Sequence, residues 1–241
     1  MTMYASQYAD INGDGEPEEI YVNLYEPQPG YEDSQIHVYV NGKDTACYTG
    51  TQSWFDSASL MKTEDGDFYL YIDVSEIDSV DRIFVFSFSG GGAIHEGEYQ
   101  GGLEGFITDP GRFKVFSHLD VLGTHSGYKY YHVGNDGLPE PDDKTYTIVR
   151  YQYGDEPEPC LTSKVPVAVW FVGRDGRVEE EPQELPAGTR FYFCRTDNRS
   201  YVEMELEDGR RCQVRVDLSS WPRTVNGMEE NECFDGIMYA G

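Results

Sequence analysis

Again and again along the chain a polar residue and a glycine stand together between short aromatic or β-branched runs, as at Asn41-Gly42, Asp65-Gly66, Asp136-Gly137, Asp175-Gly176 and Asp208-Gly209. Such pairs accept the positive φ angles of tight hairpins, so each marks a point where an extended chain doubles back. The flanking runs alternate, as in Phe68-Tyr69-Leu70-Tyr71-Ile72, Arg82 to Phe88, Thr145 to Val149 and Tyr201 to Leu206. Tyr, Val, Ile and Phe at period two suit half-buried pleated strands. No segment holds a 3.6-residue apolar period for long; the best helical candidates, Phe55 to Met61 and Met228 to Phe234, are short. The expected fold class is all-β.

Charge then narrows the function. The 241 residues carry 18 Lys+Arg against 44 Asp+Glu, a formal net charge of −26. Disordered acidic chains lack aromatic mass, whereas this one has 19 Tyr, 12 Phe and 3 Trp, enough for a core. A nucleic-acid backbone would be repelled, and no basic cluster offsets the charge. Docking on anionic lipid is disfavoured for the same reason. No apolar stretch approaches the roughly 20 residues of a membrane helix. The opening MTMYASQYADINGDG has neither the basic n-region nor the apolar h-region of a signal peptide, which leaves either a cytosolic acidic interaction protein or an exported one whose signal lies ahead of residue 1. Cys47, Cys160, Cys194, Cys212 and Cys233 are too sparse for a disulfide scaffold, and no two fall at CxxC spacing. Cys194 and Cys212 lie in what read as consecutive strands and are expected to be a buried thiol pair rather than a bridge.

A break falls near 155, where Gly154-Asp155-Glu156-Pro157-Glu158-Pro159 reads as an acidic, proline-rich linker. The expected domains are 1–155 and 156–241. In the second, runs at 165–172, 189–194, 200–206 and 211–217 give the pattern of a small β-barrel, with Leu185, Phe191, Phe193, Val202, Met204, Val214 and Val216 in its core. In the first, Asp10-Ile11-Asn12 … Ile20-Tyr21-Val22 recurs as Asp73-Val74-Ser75 … Ile83-Phe84-Val85, with the same Asp-to-Ile spacing. This predicts a β domain built from repeated loop-strand units.

The first copy carries chemistry. Asp10-Ile11-Asn12-Gly13-Asp14-Gly15-Glu16-Pro17-Glu18 fits D-x-[DN]-x-[DN]-G, in which oxygens at positions one, three and five converge because a glycine at six allows the sharp turn. Glu16 would add a backbone carbonyl, and Glu18 an oxygen direct or through water. Position twelve is Tyr21, not the bidentate Glu of an EF-hand, and a strand follows instead of a helix. The expected cofactor is Ca²⁺. In the second copy Ile77 stands where Asp14 does, so metal is not expected there.

That departure resembles the calcium loops of VCBS and integrin-type FG-GAP repeats, in which Asp10, Asn12, Asp14 and Glu18 match the ligand positions. The segment 185–216, opening LPAGT, is similar to bacterial SH3-like domains, and the tail 221–241 resembles the ends of such proteins. Together they resemble uncharacterised secreted or lipid-anchored proteins of Gram-positive bacteria. The resemblance implies an extracellular or cell-surface place, with an export signal lying ahead of residue 1, and no enzymatic activity.

Other constellations carry less. His118, His125 and His132 are seven apart, an odd spacing that alternates faces on a strand. The stretch Ser87 to Gly97 has a Ser, a His and a Glu among glycines but neither a phosphate-loop ending nor a hydrolase elbow. Trp54, Tyr128, Tyr130 and Tyr131 are the candidates for a sugar- or peptide-stacking platform. The reading is a non-enzymatic, calcium-binding surface protein with a cell-wall, glycan or protein ligand. The competing one is a hydrolase of cell-wall or glycan material, for which His95 or His132 beside a carboxylate would be the place to look.

Overall fold

The computed structural model describes residues 2–3, 6–25, 34–50, 53–76, 81–150, 159–219 and 221–239. Among these the regular structure is antiparallel strand throughout, apart from one helix of four residues. Contacts divide it into two units: Met1–Ser117 with Tyr130–Asp142, and His118–Lys129 with Asp143–Gly241. The expected boundary near 155 thus falls inside the span of the second unit, and of the acidic linker 154–159 all but Pro159 lies outside the described residues.

The first unit is a layered β structure. Strands β1 (Thr2–Met3), β2 (Gln7–Ala9), β3 (Glu18–Tyr25), β4 (Ser34–Val40) and β5 (Lys43–Gly50) form one sheet in the order β1-β3-β4-β5, with β2 also on β3. Strands β6 (Ser53–Lys62), β7 (Phe68–Glu76), β8 (Asp81–Ser89) and β9 (Gly92–Gln100) form a second, in simple meander order. Period-two alternation sends Ile20, Val22, Leu24, Ile36 and Val38 from the first sheet against Leu70, Ile72, Val74, Phe84 and Phe86 of the second. The opposite face of the second sheet is also covered. There Tyr71, Ile83 and Val85 pack with Phe113, Val115 and Tyr131, which come from β11 (Phe113–Asp120) and β12 (Thr124–Val133); β10 (Gly102–Leu103) and β13 (Pro139–Pro141) pair with these two strands. The half-buried alternation expected for these two runs is corrected here: Leu70 to Ile72 of β7 and Ile83 to Phe86 of β8 are buried at every position, because both faces of the sheet are covered.

The second unit takes the 118–129 hairpin together with β14 (Tyr146–Ile148), β15 (Leu161–Ser163), β16 (Val167–Val172), β17 (Gln183–Leu185), β18 (Arg190–Thr196), β19 (Tyr201–Leu206), β20 (Arg211–Asp217), β21 (Thr224–Val225), β22 (Met228–Glu229), α1 (Glu230–Cys233) and β23 (Phe234–Asp235). The order β12-β14-β18-β19-β20-β16-β17 is open, and no closed barrel forms among the described strands. The anticipated core is present: Phe191, Phe193, Val202, Met204, Val214 and Val216 are buried, with Leu185 packed against them. Leu119, Leu122 and Ile148, which precede residue 155, belong to the same core.

The five polar-glycine turns carry positive φ at the glycine, from +75° at Gly42 to +96° at Gly66. Asn41-Gly42 closes a two-residue hairpin between Val40 and Lys43, with φ of 50° at Asn41 as well.

Two helical expectations are corrected. Phe55 to Met61 lies in β6, where the pairing slips between Phe55 and Ser57. The extra residue, Asp56, places Phe55 and Ala58 on one face three residues apart, which imitates a helical spacing. Of Met228 to Phe234 only Glu230–Cys233 is helical. The repeat is corrected too. The first copy is a loop leading into β3, but Asp73 and Ser75 sit inside β7 and pair across to Ser57 and Asp81. The shared spacing does not make a shared loop.

Candidate metal centre

The loop 10–18 joins β2 to β3, and those strands pair Ala9 with Glu18, so the loop ends are held together. Within it Gly13 and Gly15 take φ of +76° and +93°, conformations that a side chain would strain. These two reversals wind the backbone around the carboxylates. The Asp14 N–H donates to Asp10 Oδ1 (3.0 Å) and Asn12 Oδ1 (2.8 Å), and the Gly15 N–H to Asp10 Oδ2 (3.0 Å). The Glu16 N–H donates to Asp14 Oδ1 (2.8 Å). Glu18, buried at the start of β3, accepts from the Ile11 N–H through Oε2 (3.1 Å). The Asn12 Nδ2 donates to both Asp14 Oδ2 (3.0 Å) and Glu18 Oε1 (2.8 Å).

Asp10, Asn12, Asp14 and Glu18 are therefore brought together by one nine-residue loop, while Glu16 is exposed on its rim. Three carboxylates and one amide oxygen make a hard, all-oxygen donor set, the kind that calcium takes. Each carboxylate oxygen that accepts one N–H keeps a second lone pair. As folded, the Asn12 amide nitrogen is the group that bridges Asp14 and Glu18. Among the described residues no group of three or more His, Cys, Asp or Glu side chains is already placed around a metal position. Holding a cation here would require the Asn12 amide to turn its oxygen toward Asp14 and Glu18.

The second copy has a different character. Asp73 is 4% exposed; its Oδ2 accepts the Leu103 N–H (3.0 Å) and its Oδ1 has no partner among the described residues. Burial, aided by the Asp56 and Asp81 carboxylates, pushes the Asp73 carboxyl up to about 7, against the opposing pull of the Leu103 bond. The Ser75 hydroxyl donates to Asp56 at 2.5 Å.

The remaining candidates resolve individually. Trp54 is 56% exposed on β6. Tyr131 is 1% exposed, its ring among Tyr99 and Phe113 and its hydroxyl on that of Tyr99 (2.8 Å), so it presents no face to a ligand. Tyr130 carries the Arg112 guanidinium 3.7 Å over its ring, and Tyr128 belongs to the second unit. His118 bonds Asp120 (3.1 Å), and His132 bonds Asp142 (2.8 Å). His125 packs on Phe193 at 4.1 Å, and burial holds its imidazole below the ordinary range. The glycine-rich stretch is the β8–β9 hairpin, turning at Gly90 and Gly91 with Ser89 opposite Gly92. His95 there lies against Tyr48, Phe84 and Phe86. All five cysteines carry thiols. Cys194 and Cys212 are not on adjacent strands, since Met204 of β19 pairs with Cys212 between them, and burial pushes the Cys212 thiol up to about 12.

Sequence reasoning missed the outer face of the first sheet. There Tyr21 and Tyr39 stack in parallel at 4.5 Å, the Tyr25 and Tyr39 hydroxyls meet at 3.0 Å, and His37 stands edge-on to Tyr25. The alternation of Tyr21 with Tyr25 in β3, and of Gln35, His37 and Tyr39 in β4, is the signal that marks this row. No protein-family model matches the chain, and no curated protein matches it.

Proposed function

We propose that this chain is a non-enzymatic binding or structural protein of the bacterial cell surface or extracellular space, whose first unit is stabilised by Ca²⁺ held in the loop 10–18. Asp10, Asn12, Asp14 and Glu18 supply side-chain oxygens and Glu16 a backbone carbonyl. The observation that carries the reading is the winding of these acidic side chains into one loop by two left-handed glycines, directly before a core strand. On this reading the second unit is an SH3-like module, supported by the LPAGT entry to β18 and by the three hairpin-linked strands β18 to β20. The ligand would be a cell-wall, glycan or protein surface.

Titration calorimetry on the full chain, stripped with chelator, is the binding test. One saturable Ca²⁺ site is expected, in or below the about 10⁻⁴–10⁻³ M range of extracellular modules. Mg²⁺ should bind less well, because it demands tighter octahedral geometry and dehydrates reluctantly. Asp14→Ala should lose the site. A parent protein that gives no saturable heat with millimolar Ca²⁺ would contradict the proposal.

A further inference from the structure

A β-bulge assembles a second group of chemically active side chains on the outer face of the first sheet. Across β4 and β5 the pairing runs Val38 with Ala46 and then Tyr39 with Asp44, leaving Thr45 as the extra residue. Without it Asp44 and Cys47, three apart, would face opposite sides of the sheet; with it both share the face of His37. The bulge is anchored from below, where the Thr45 hydroxyl donates to Val38 O (3.1 Å) and accepts the Ala93 N–H (3.1 Å).

On that face His37 Nδ1 meets Asp44 Oδ2 at 2.6 Å, while His37 Nε2 lies 3.4 Å from Cys47 Sγ and 3.2 Å from Gln35 Oε1. The imidazole is 16% exposed, shielded between Tyr25 and Tyr39, whereas the thiol is exposed. Asp44, Tyr25 and Tyr39 are titratable groups that face the imidazole, with Tyr21 stacked on Tyr39 behind them. The bond to Asp44 fixes the proton on Nδ1 and points Nε2 at the sulfur, and a carboxylate there stabilises the imidazolium that forms when Nε2 takes the thiol proton. The Gln35 oxygen is placed to accept from the resulting Nε2–H. Asn23, directly opposite His37 in β3, is 1% exposed, and neither of its amide atoms has a partner among the described residues.

We propose that Cys47 is an activated thiol that undergoes exchange with low-molecular-weight disulfides, with His37 as its base and Asp44 as a positioning residue. The Cys47 thiol is exposed, which suits a small soft electrophile. The Cys47 sulfur, its proton passed to His37 Nε2, attacks one sulfur of the disulfide. The old S–S bond breaks as the new one forms, Cys47 is oxidised, and the departing sulfur is reduced and takes the proton from His37.

The test is the rate at which the full-length protein releases thionitrobenzoate from dithiobis(nitrobenzoate) between pH 5 and 9. One fast equivalent is expected, lost in Cys47→Ser and located on Cys47 by mass spectrometry, with a rate midpoint well below the ordinary thiol value of about 8.5. His37→Gln should lower the pH 6 rate about ten-fold and return the midpoint to about 8.5, and Asp44→Asn should lie between. Circular dichroism checks that the variants fold. A parent midpoint at about 8.5 overturns the proposal whether or not they do, as does a fast phase that survives His37→Gln unchanged.

Discussion

Replacing Asp73 by Asn should raise stability at pH 8 by on the order of 3 kcal/mol and leave it nearly unchanged at pH 4. Asp73 is buried in β7 with one oxygen unpartnered among the described residues, and its carboxyl is pushed from 3.8 up to about 7. Because the folded-state pKa lies above the unfolded one, the native protein holds a proton that the unfolded chain releases between about pH 4 and 7. The contribution of this group is fully present below about pH 4 and is lost as pH rises through 7, where an ionised carboxylate must stay buried beside Asp56 and Asp81. Asn keeps an oxygen for the Leu103 N–H and cannot ionise. Urea midpoints across pH 4–8 for parent and variant check this. Parallel curves, or a variant less stable at pH 8, would show that Asp73 is ionised and satisfied.

Phe84→Ala should be the most damaging single truncation of the sheet-to-sheet core, costing about 3–5 kcal/mol. Phe84 is 1% exposed, lies between the two sheets of the first unit, and meets the Tyr48 ring at 4.4 Å. Phe106→Ala, at a ring 72% exposed, should stay within about 0.5 kcal/mol. Chemical unfolding of the two variants side by side separates core from surface. Equal costs would mean that the two sheets do not share the core described above.

How much of this was legible in the sequence depends on where the strands are regular. The polar-glycine pairs marked real turns because positive φ at Gly42, Gly137 or Gly209 is a local requirement that sequence expresses directly. The core of the second unit was legible for the same reason: Val202, Met204, Val214 and Val216 keep period two without interruption. The errors fall at bulges. The extra residue at Asp56 made a strand look helical, and the extra residue at Thr45 hid the proximity of His37, Asp44 and Cys47. A register slip is set by the partner strand, and Thr45 is held by Ala93, far away in sequence. The Asp73 repeat misled differently. Equal spacing recorded two aspartates ahead of core strands, but one lies in an exposed loop and the other under β10.

If the loop 10–18 holds Ca²⁺ and thereby stabilises the first unit, as proposed, a thermal melt of the full chain with Ca²⁺ and with chelator will register it. On the proposed reading Ca²⁺ binds the folded loop and not the unfolded chain, so the midpoint should climb with free calcium, reaching about 2.7 kcal/mol of added stability at a hundred-fold excess over the dissociation constant. Asp14→Ala should abolish the increment. Asp65→Ala, which removes the same charge from an exposed turn elsewhere in the first unit, should retain it. A parent midpoint that is identical in chelator and in millimolar calcium would contradict the account, and would make Asp10 to Glu18 an acidic turn held by its own amides alone.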